Sequence, residues 1–230
     1  MGEDQAVTLT IPARFRGPAR SGNGGWSAGA LASYVDAPSV TVRLRRPPPL
    51  DAPLLVEERD GWTVASDGGE VVLQARPAAG ELVAVAPVDR TTALAAEASF
   101  AGSASHPFPT CFSCGPRDDG LRIFPGPVGP GRVAATWTPD AAVTVPITWA
   151  AIDCAGAWAA GMAERAMVLG QFTARVDTLP VAGEEHVVVG EMRGGEGRKV
   201  LAATSTYDAD GRLVATAEAI WFLIDPDAFN

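Results

Sequence analysis

Apolar and polar residues alternate along two widely separated stretches of the chain, residues 39–77 and 171–219. Each opens on an alternating run, "VTVRLR" (40–45) and "FTARVD" (172–177), and passes through a proline-bearing turn, "RPPPLDAP" and "LPVAGEE". Each then continues into Val-rich runs separated by Gly and Asp. Alternation over five to eight residues, bounded by Gly, Pro and Asp, predicts β-strands joined by turns. The Asp-Gly of "YDADGRL" (207–213) predicts a hairpin. Ahead of each strand group lies a segment that is apolar on all sides, residues 25–35 and 148–166. Such a pattern predicts a helix buried within the fold. The repeat of helix followed by several strands reads as an internal duplication. Between the two groups, 77–119 is rich in Ala, Pro and Ser. Within it, 81–88 reads as a short strand and 89–99 as a short helix or linker.

Composition narrows the functional classes. The chain has 230 residues, is 47% hydrophobic and 20% charged, and carries a formal net charge of −9. The length suits one large domain or two small ones. The acidic balance argues against nucleic acid as a partner, since phosphate-backbone binding needs a basic surface. No apolar run reaches the roughly 20 residues of a membrane span. The N-terminus lacks the pattern of a secretory signal. Three cysteines make no disulfide framework. A cytoplasmic protein with reduced thiols is the expectation.

The candidate chemistry sits near the two helices. The Gly-rich turn "SGNGGW" places Asn23, Gly24 and Gly25 at the start of the first. Glycines there let a substrate approach backbone N–H groups, and Asn23 is a natural N-cap or side-chain donor. The stretch is neither a Walker A loop nor a dinucleotide fingerprint. Asp153 lies within the second apolar segment, "WAAIDCAGAW" (149–158). A carboxylate there is costly unless hydrogen-bonded or paired. Burial would raise its pKa and fit it for general-base or nucleophilic work. From the residues alone, a purely structural carboxylate is an equal reading. The pair in "CFSC" (Cys111, Cys114) has zinc-knuckle spacing, with His106 upstream and Cys154 far along the chain. With one such pair and remote partners of no characteristic spacing, no metal and no cofactor is expected. Cys111 and Cys114 read as a turn and Cys154 as a small core residue. Only two histidines are present, and there is no nucleophile elbow.

Several stretches carry a family resemblance. "GNGGWSAGALASYV" followed by "VTVRLRRPPPLDAPLLVE" resembles the first half of acyl-CoA thioesterase-like double hotdog proteins. "CFSCGPRDDGLRI", "WAAIDCAGAW" and "GRKVLAATSTYDADGRLVATAEAIWFLI" resemble single-hotdog thioesterases of the phenylacetate-pathway type. The sequence departs from these relatives in having Asn-Gly-Gly for His-Gly-Gly, and only one acid on the two helices. The resemblance implies an α+β double hotdog, with one hotdog in 1–100 and a second in 101–230. In that fold, two antiparallel sheets each wrap one central helix to form a pseudo-dimer. It implies an acyl-CoA or acyl-carrier thioester as partner, with Asp153 activating water or attacking directly. Gly24 and Gly25 would polarise the carbonyl, with Asn23 beside them. Trp26 and Trp149 read as core residues from their apolar surroundings, and are the candidates to line an acyl tunnel. Arg198 and Lys199, with Arg43, Arg45, Arg46 and Arg193, are candidates for the coenzyme A phosphates. A homodimer of pseudo-dimers fits the same family. The rivals are a non-catalytic acyl-CoA or lipid binder and, further off, a dehydratase-type lyase, for which neither helix supplies a histidine.

Overall fold

A computed structural model describes residues 6–141 and 143–225. The elements, in chain order, are β1 (Thr8–Thr10), α1 (Gly24–Ala32), β2 (Ser39–Leu44), β3 (Pro53–Arg59), β4 (Trp62–Asp67) and β5 (Glu70–Pro77). They continue with α2 (Arg90–Glu97), β6 (Gly126–Gly129), β7 (Arg132–Trp137), α3 (Val145–Ala151) and α4 (Cys154–Ala159). The last four are β8 (Met167–Val176), β9 (His186–Glu196), β10 (Lys199–Tyr207) and β11 (Leu213–Leu223). The alternating runs that open the two repeats became β2 and β8.

All the strands join one antiparallel sheet in the order β1-β3-β4-β5-β2-β8-β11-β10-β9-β7-β6. The first five strands of the chain thus fill one end and the last six the other. They meet where β2 pairs with β8, from Ser39↔Arg175 to Arg43↔Gln171. Two side-chain pairs reinforce that seam: Thr41 with Thr173 (2.9 Å) and the Arg43 guanidinium with Gln171 (2.9 Å). The β10–β11 hairpin closes as expected, though through five residues. Asp208 accepts from the backbone N–H groups of Asp210 and Arg212, and Gly211 takes φ 76°.

Residues 25–32 of α1 are all buried, as an apolar helix with no polar stripe must be. Its axis approaches α3 closely because Gly25 and Gly29 carry no side chain. A Cβ on Gly25 would lie 2.5 Å from the Trp149 carbonyl oxygen, and one on Gly29 would lie 2.7 Å from Trp149 Cβ. One core cluster joins α1, α3 and α4 to both ends of the sheet.

Two expectations need correction. The second apolar segment is not one helix to 166 but two short ones, broken at Ile152 and Asp153. Just past α4, Gly161 turns the chain with φ 84°, the left-handed geometry that stops a helix. Residues 81–88 form no strand. Val85 is buried and held by side chains: its N–H donates to Ser205 Oγ (2.9 Å) and its carbonyl accepts from the Tyr207 hydroxyl. Residues 89–99 do yield a helix, α2, capped by Asp89 on the Thr92 N–H (2.9 Å). Both segments cover the outer face of β7, β9 and β10. There Ala134, Val187, Val189 and Ala203 form a second cluster with Val85 and Ala93, while Val133, Ala135, Val188 and Ala202 face inward. That two-sided burial explains the unbroken Val run of β9. Among the described residues, no helix is long and apolar enough to cross a membrane.

Candidate functional site

The break between α3 and α4 puts Asp153 against the N-terminus of α1. Asp153 is 3% exposed. Its Oδ2 accepts from Asn23 Nδ2 (2.9 Å) and from the Gly25 N–H (3.0 Å). Its Oδ1 is buried without a hydrogen-bond partner among the described residues. Burial pushes its pKa up to about 7 and repulsion from the Cys111 thiolate adds to the rise, while the Gly25 and Asn23 bonds pull the other way.

Asn23 organises this corner. Its Oδ1 caps α1 by accepting from the Trp26 N–H (2.8 Å), and its amide nitrogen donates to Asp153 and to Ser113 Oγ (3.1 Å). With the oxygen accepting at the cap, the orientation of the amide is fixed by its network. Ser113 in turn donates to the Ala150 carbonyl (2.7 Å), tying the cysteine loop to α3. That loop also hangs on the Gly turn through the Phe112 N–H to the Arg16 carbonyl (2.7 Å).

A cleft of about 270 Å³ opens here. Asn23, Gly24, Cys111, Cys114, Asp153 and Cys154 form its polar part, and Leu44, Met162, Met167, Leu169, Trp221 and Phe222 line apolar wall. Arg45, Arg46, Pro47 and Arg198 line it on the exposed side. A small apolar cavity with a few convergent polar groups is the usual form of a small-molecule site. The Gly24 N–H, at the first turn of α1, makes no hydrogen bond to any described residue and so stays available to a ligand.

The structure brings Asn23, Gly24 and Asp153 together and corrects several other expectations. The Gly25 N–H is taken by Asp153, so Gly25 positions the acid and does not serve a substrate carbonyl. Trp26 stacks on Phe15 (centroids 4.3 Å apart) and Trp149 packs edge-on to Phe172 (5.5 Å), and neither lines the cleft. Both are core residues, as large aromatics on buried helices commonly are. Of the basic residues, Arg45, Arg46 and Arg198 reach the cleft, while Arg43, Arg193 and Lys199 lie off it.

The sequence did not show that the three cysteines meet. Their sulfurs lie within 4.8 Å of one another, and Cys111 and Cys154 are 3.7 Å apart. Hydrogen bonds from Cys114 and Cys154 hold Cys111 well below the usual thiol range. Burial raises Cys114, and the bond to Cys111 raises Cys154. His106 also lines the cleft. Its Nδ1 accepts from the Phe108 N–H (3.0 Å), so Nε2 carries the proton toward the Cys114 carbonyl (3.2 Å). The usable signal was the adjacency of Cys154 to Asp153: whatever draws the acid to the α1 N-terminus brings the thiol with it.

No protein-family model matches the sequence, and no curated protein matches it. Solved structures do. A TesB protein of Mycobacterium avium subsp. paratuberculosis aligns over 94% of this chain and 91% of its own, at 17% identity and TM-score 0.59. An acyl-CoA thioesterase II of Mycobacterium marinum aligns over 100% and 96%, at 14% identity and TM-score 0.59. A hotdog-fold protein of unknown function from Alicyclobacillus acidocaldarius aligns over 98% and 96%, at 13% identity and TM-score 0.64. The chain has the hotdog fold, and its likeness to these structures runs over nearly its whole length.

Proposed function

We propose that the protein hydrolyses an acyl thioester in a composite site formed between two hotdog units, residues 1–100 and 101–230, arranged as a pseudo-dimer. The strand order supports the duplication. Outward from the seam, β2-β5-β4-β3-β1 is matched by β8-β11-β10-β9-β7, each set in the same chain order, with α1 between β1 and β2 and the α3–α4 pair between β7 and β8. The linking segment 81–100 lies on the second unit.

The observation that carries the function is the placement of Asp153. A buried carboxylate lines the cleft, one oxygen fixed by Asn23 and Gly25 and the other without a partner among the described residues. In the proposed reaction, Asp153 takes a proton from water as the oxygen attacks the thioester carbonyl carbon. The C–S bond then breaks and the thiolate leaves, taking a proton. The Gly24 N–H stabilises the developing oxyanion. The acyl chain lies among Leu44, Met167, Leu169 and Trp221. Arg45, Arg46 and Arg198 meet the phosphates of an acyl carrier on the exposed side. Reduced, unpaired thiols accord with a cytoplasmic setting.

The test is a panel of acyl-CoA substrates from acetyl to palmitoyl, followed by release of free thiol. Thiol release for at least one chain length, well above the uncatalysed rate, is expected. If none is cleaved while acyl-CoA still raises the melting temperature, the protein is an acyl-CoA binder.

A further inference from the structure

We propose that Cys111, Cys114 and Cys154 form a three-thiolate binding site for a zinc ion, whose fourth coordination position faces the cleft. The inference does not depend on the protein being a hydrolase. The three sulfurs are mutually within 4.8 Å, and the Cys111–Cys154 separation is 3.7 Å. A tetrahedral zinc with Zn–S bonds of about 2.3 Å sets its ligands about 3.8 Å apart along each edge. An ion therefore fits with small side-chain adjustments. All three thiols are buried, and none is in a disulfide.

The backbone around them resembles a built ligand set. Cys111 and Cys114 sit on a turn closed by the Gly115 N–H on the Cys111 carbonyl (2.9 Å). That turn tolerates only glycine at 115, since a Cβ would lie 2.5 Å from the carbonyl oxygens of both Cys111 and Pro109. Cys154 arrives from the first position of α4, fixed by the adjoining break. Asn23 Nδ2 lies 3.7 Å from Cys111 Sγ, the kind of outer donor that steadies a thiolate ligand.

The fourth ligand is not His106, because both its ring nitrogens are engaged, one by the Phe108 N–H and one at the Cys114 carbonyl. All three cysteines line the cleft, so the open position falls to water or to a small thiol that enters it. Three protein ligands and one exchangeable position is the pattern of a reactive zinc site, in contrast to the closed set of a structural one. A second observation points the same way. Asp153 Oδ1, on the residue next to Cys154, is a buried acceptor with no partner among the described residues, and a metal-bound water would supply its donor. Soft thiolates select zinc over magnesium or calcium.

The full chain is purified under reducing conditions, incubated with zinc, desalted and analysed for metal. About one zinc per chain is expected, falling below about a tenth in Cys154→Ser and in Cys114→Ser. Cobalt loading of the unmutated protein should give the intense near-ultraviolet absorption of thiolate-to-cobalt charge transfer, a readout that no variant's folding can confound. Absence of bound zinc, cobalt uptake without that absorption, or full zinc retention in a folded Cys154→Ser protein would overturn the assignment. None of these readouts involves thioester cleavage, so failure of the metal site and failure of the hydrolase reading are separable.

Discussion

Replacing Gly25 by alanine tests the joint between the two buried helices and the acid they carry. The added Cβ would sit 2.5 Å from the Trp149 carbonyl oxygen, 2.7 Å from Asp153 Cβ and 3.0 Å from Asp153 Cγ, where ordinary contact begins at 3.4 Å. The nearest obstacle is backbone, so α3 must retreat by about 0.9 Å, the difference of 3.4 and 2.5. Overpacking of a filled interior costs about 1–3 kcal/mol. Stretching the Gly25 N–H bond to the Asp153 carboxylate adds up to about 1.5–3 kcal/mol. The gain in helix propensity returns at most about 1 kcal/mol. The net loss is about 2–5 kcal/mol, or roughly 4–20 °C in melting temperature for a chain of this size. Gly24→Ala is the control. Its nearest contacts are Leu169 Cβ and Cδ2, both at 2.9 Å; Cδ2 can swing aside but Cβ must move with β8 by about 0.5 Å, so the expected cost is about 1–2 kcal/mol, with no bond to Asp153 lost. Urea and thermal unfolding of the two variants measure the contrast, and thioester cleavage by Gly25→Ala should fall with the displacement of Asp153. A Gly25→Ala protein as stable as Gly24→Ala, and within about 1 °C of the parent, would refute the close-contact account.

Asp153→Asn should lower thioester cleavage by about 10²-fold or more while the fold persists, as read from initial rates and circular dichroism on one sample. The folded pKa of Asp153 is raised above the usual carboxylate value, to about 7, so the native state holds this proton more tightly than the unfolded chain. Its contribution to stability is therefore complete below about pH 4 and is lost as the pH rises through about 7. In metal-free protein the stability of the parent relative to Asp153→Asn should decline across that window, and a flat difference between pH 5 and pH 8 would contradict it. Asn23→Ala removes a helix cap and a donor to the acid, and should cost about 2–4 kcal/mol in urea unfolding. Arg45→Ala combined with Arg198→Ala should raise KM for acyl-CoA by about 10-fold at unchanged kcat, with no such rise for the phosphate-free acyl-pantetheine.

Legibility in the sequence followed the range of the forces involved. β2, β8 and the β10–β11 hairpin came through because alternation and an Asp-Gly turn are local signals. α1 was visible because a helix apolar on every side has nowhere to lie but inside. Residues 81–88 misled for the converse reason. They are extended and apolar, but their hydrogen bonds go to Ser205 and Tyr207, some 120 residues away, and not to a neighbouring strand. The break at Asp153 was equally hidden, since nothing in "WAAIDCAGAW" says that Asn23 and Gly25 will hold the carboxylate. Trp26 and Trp149 stood between core and tunnel because helix position fixes which residues are buried, not which of them border a cavity. The three cysteines escaped because two come from one loop and the third from a helix start, and spacing along the chain carries no distance between them.

The Gly-rich turn has a use that differs from presenting a row of N–H groups to substrate. Of its two helix-starting glycines, Gly24 has an N–H beside the cleft bonded to no described residue, and Gly25 gives its own to Asp153. Gly25 also lacks the side chain that would keep α3 away, so one absence serves both packing and chemistry. The carboxylate can sit in an apolar interior because two donors from the opposite helix meet one of its oxygens, and those donors are in place only when α1 and α3 are fully seated. The polar corner therefore cannot loosen while the helix pair stays rigid, nor the helix pair shift while the corner stays formed. Substitutions at the helix contact, such as Gly29, whose Cβ would strike Trp149 at 2.7 Å, should disturb the site from a distance. Substitutions at the exposed arginines should alter binding and leave the fold intact.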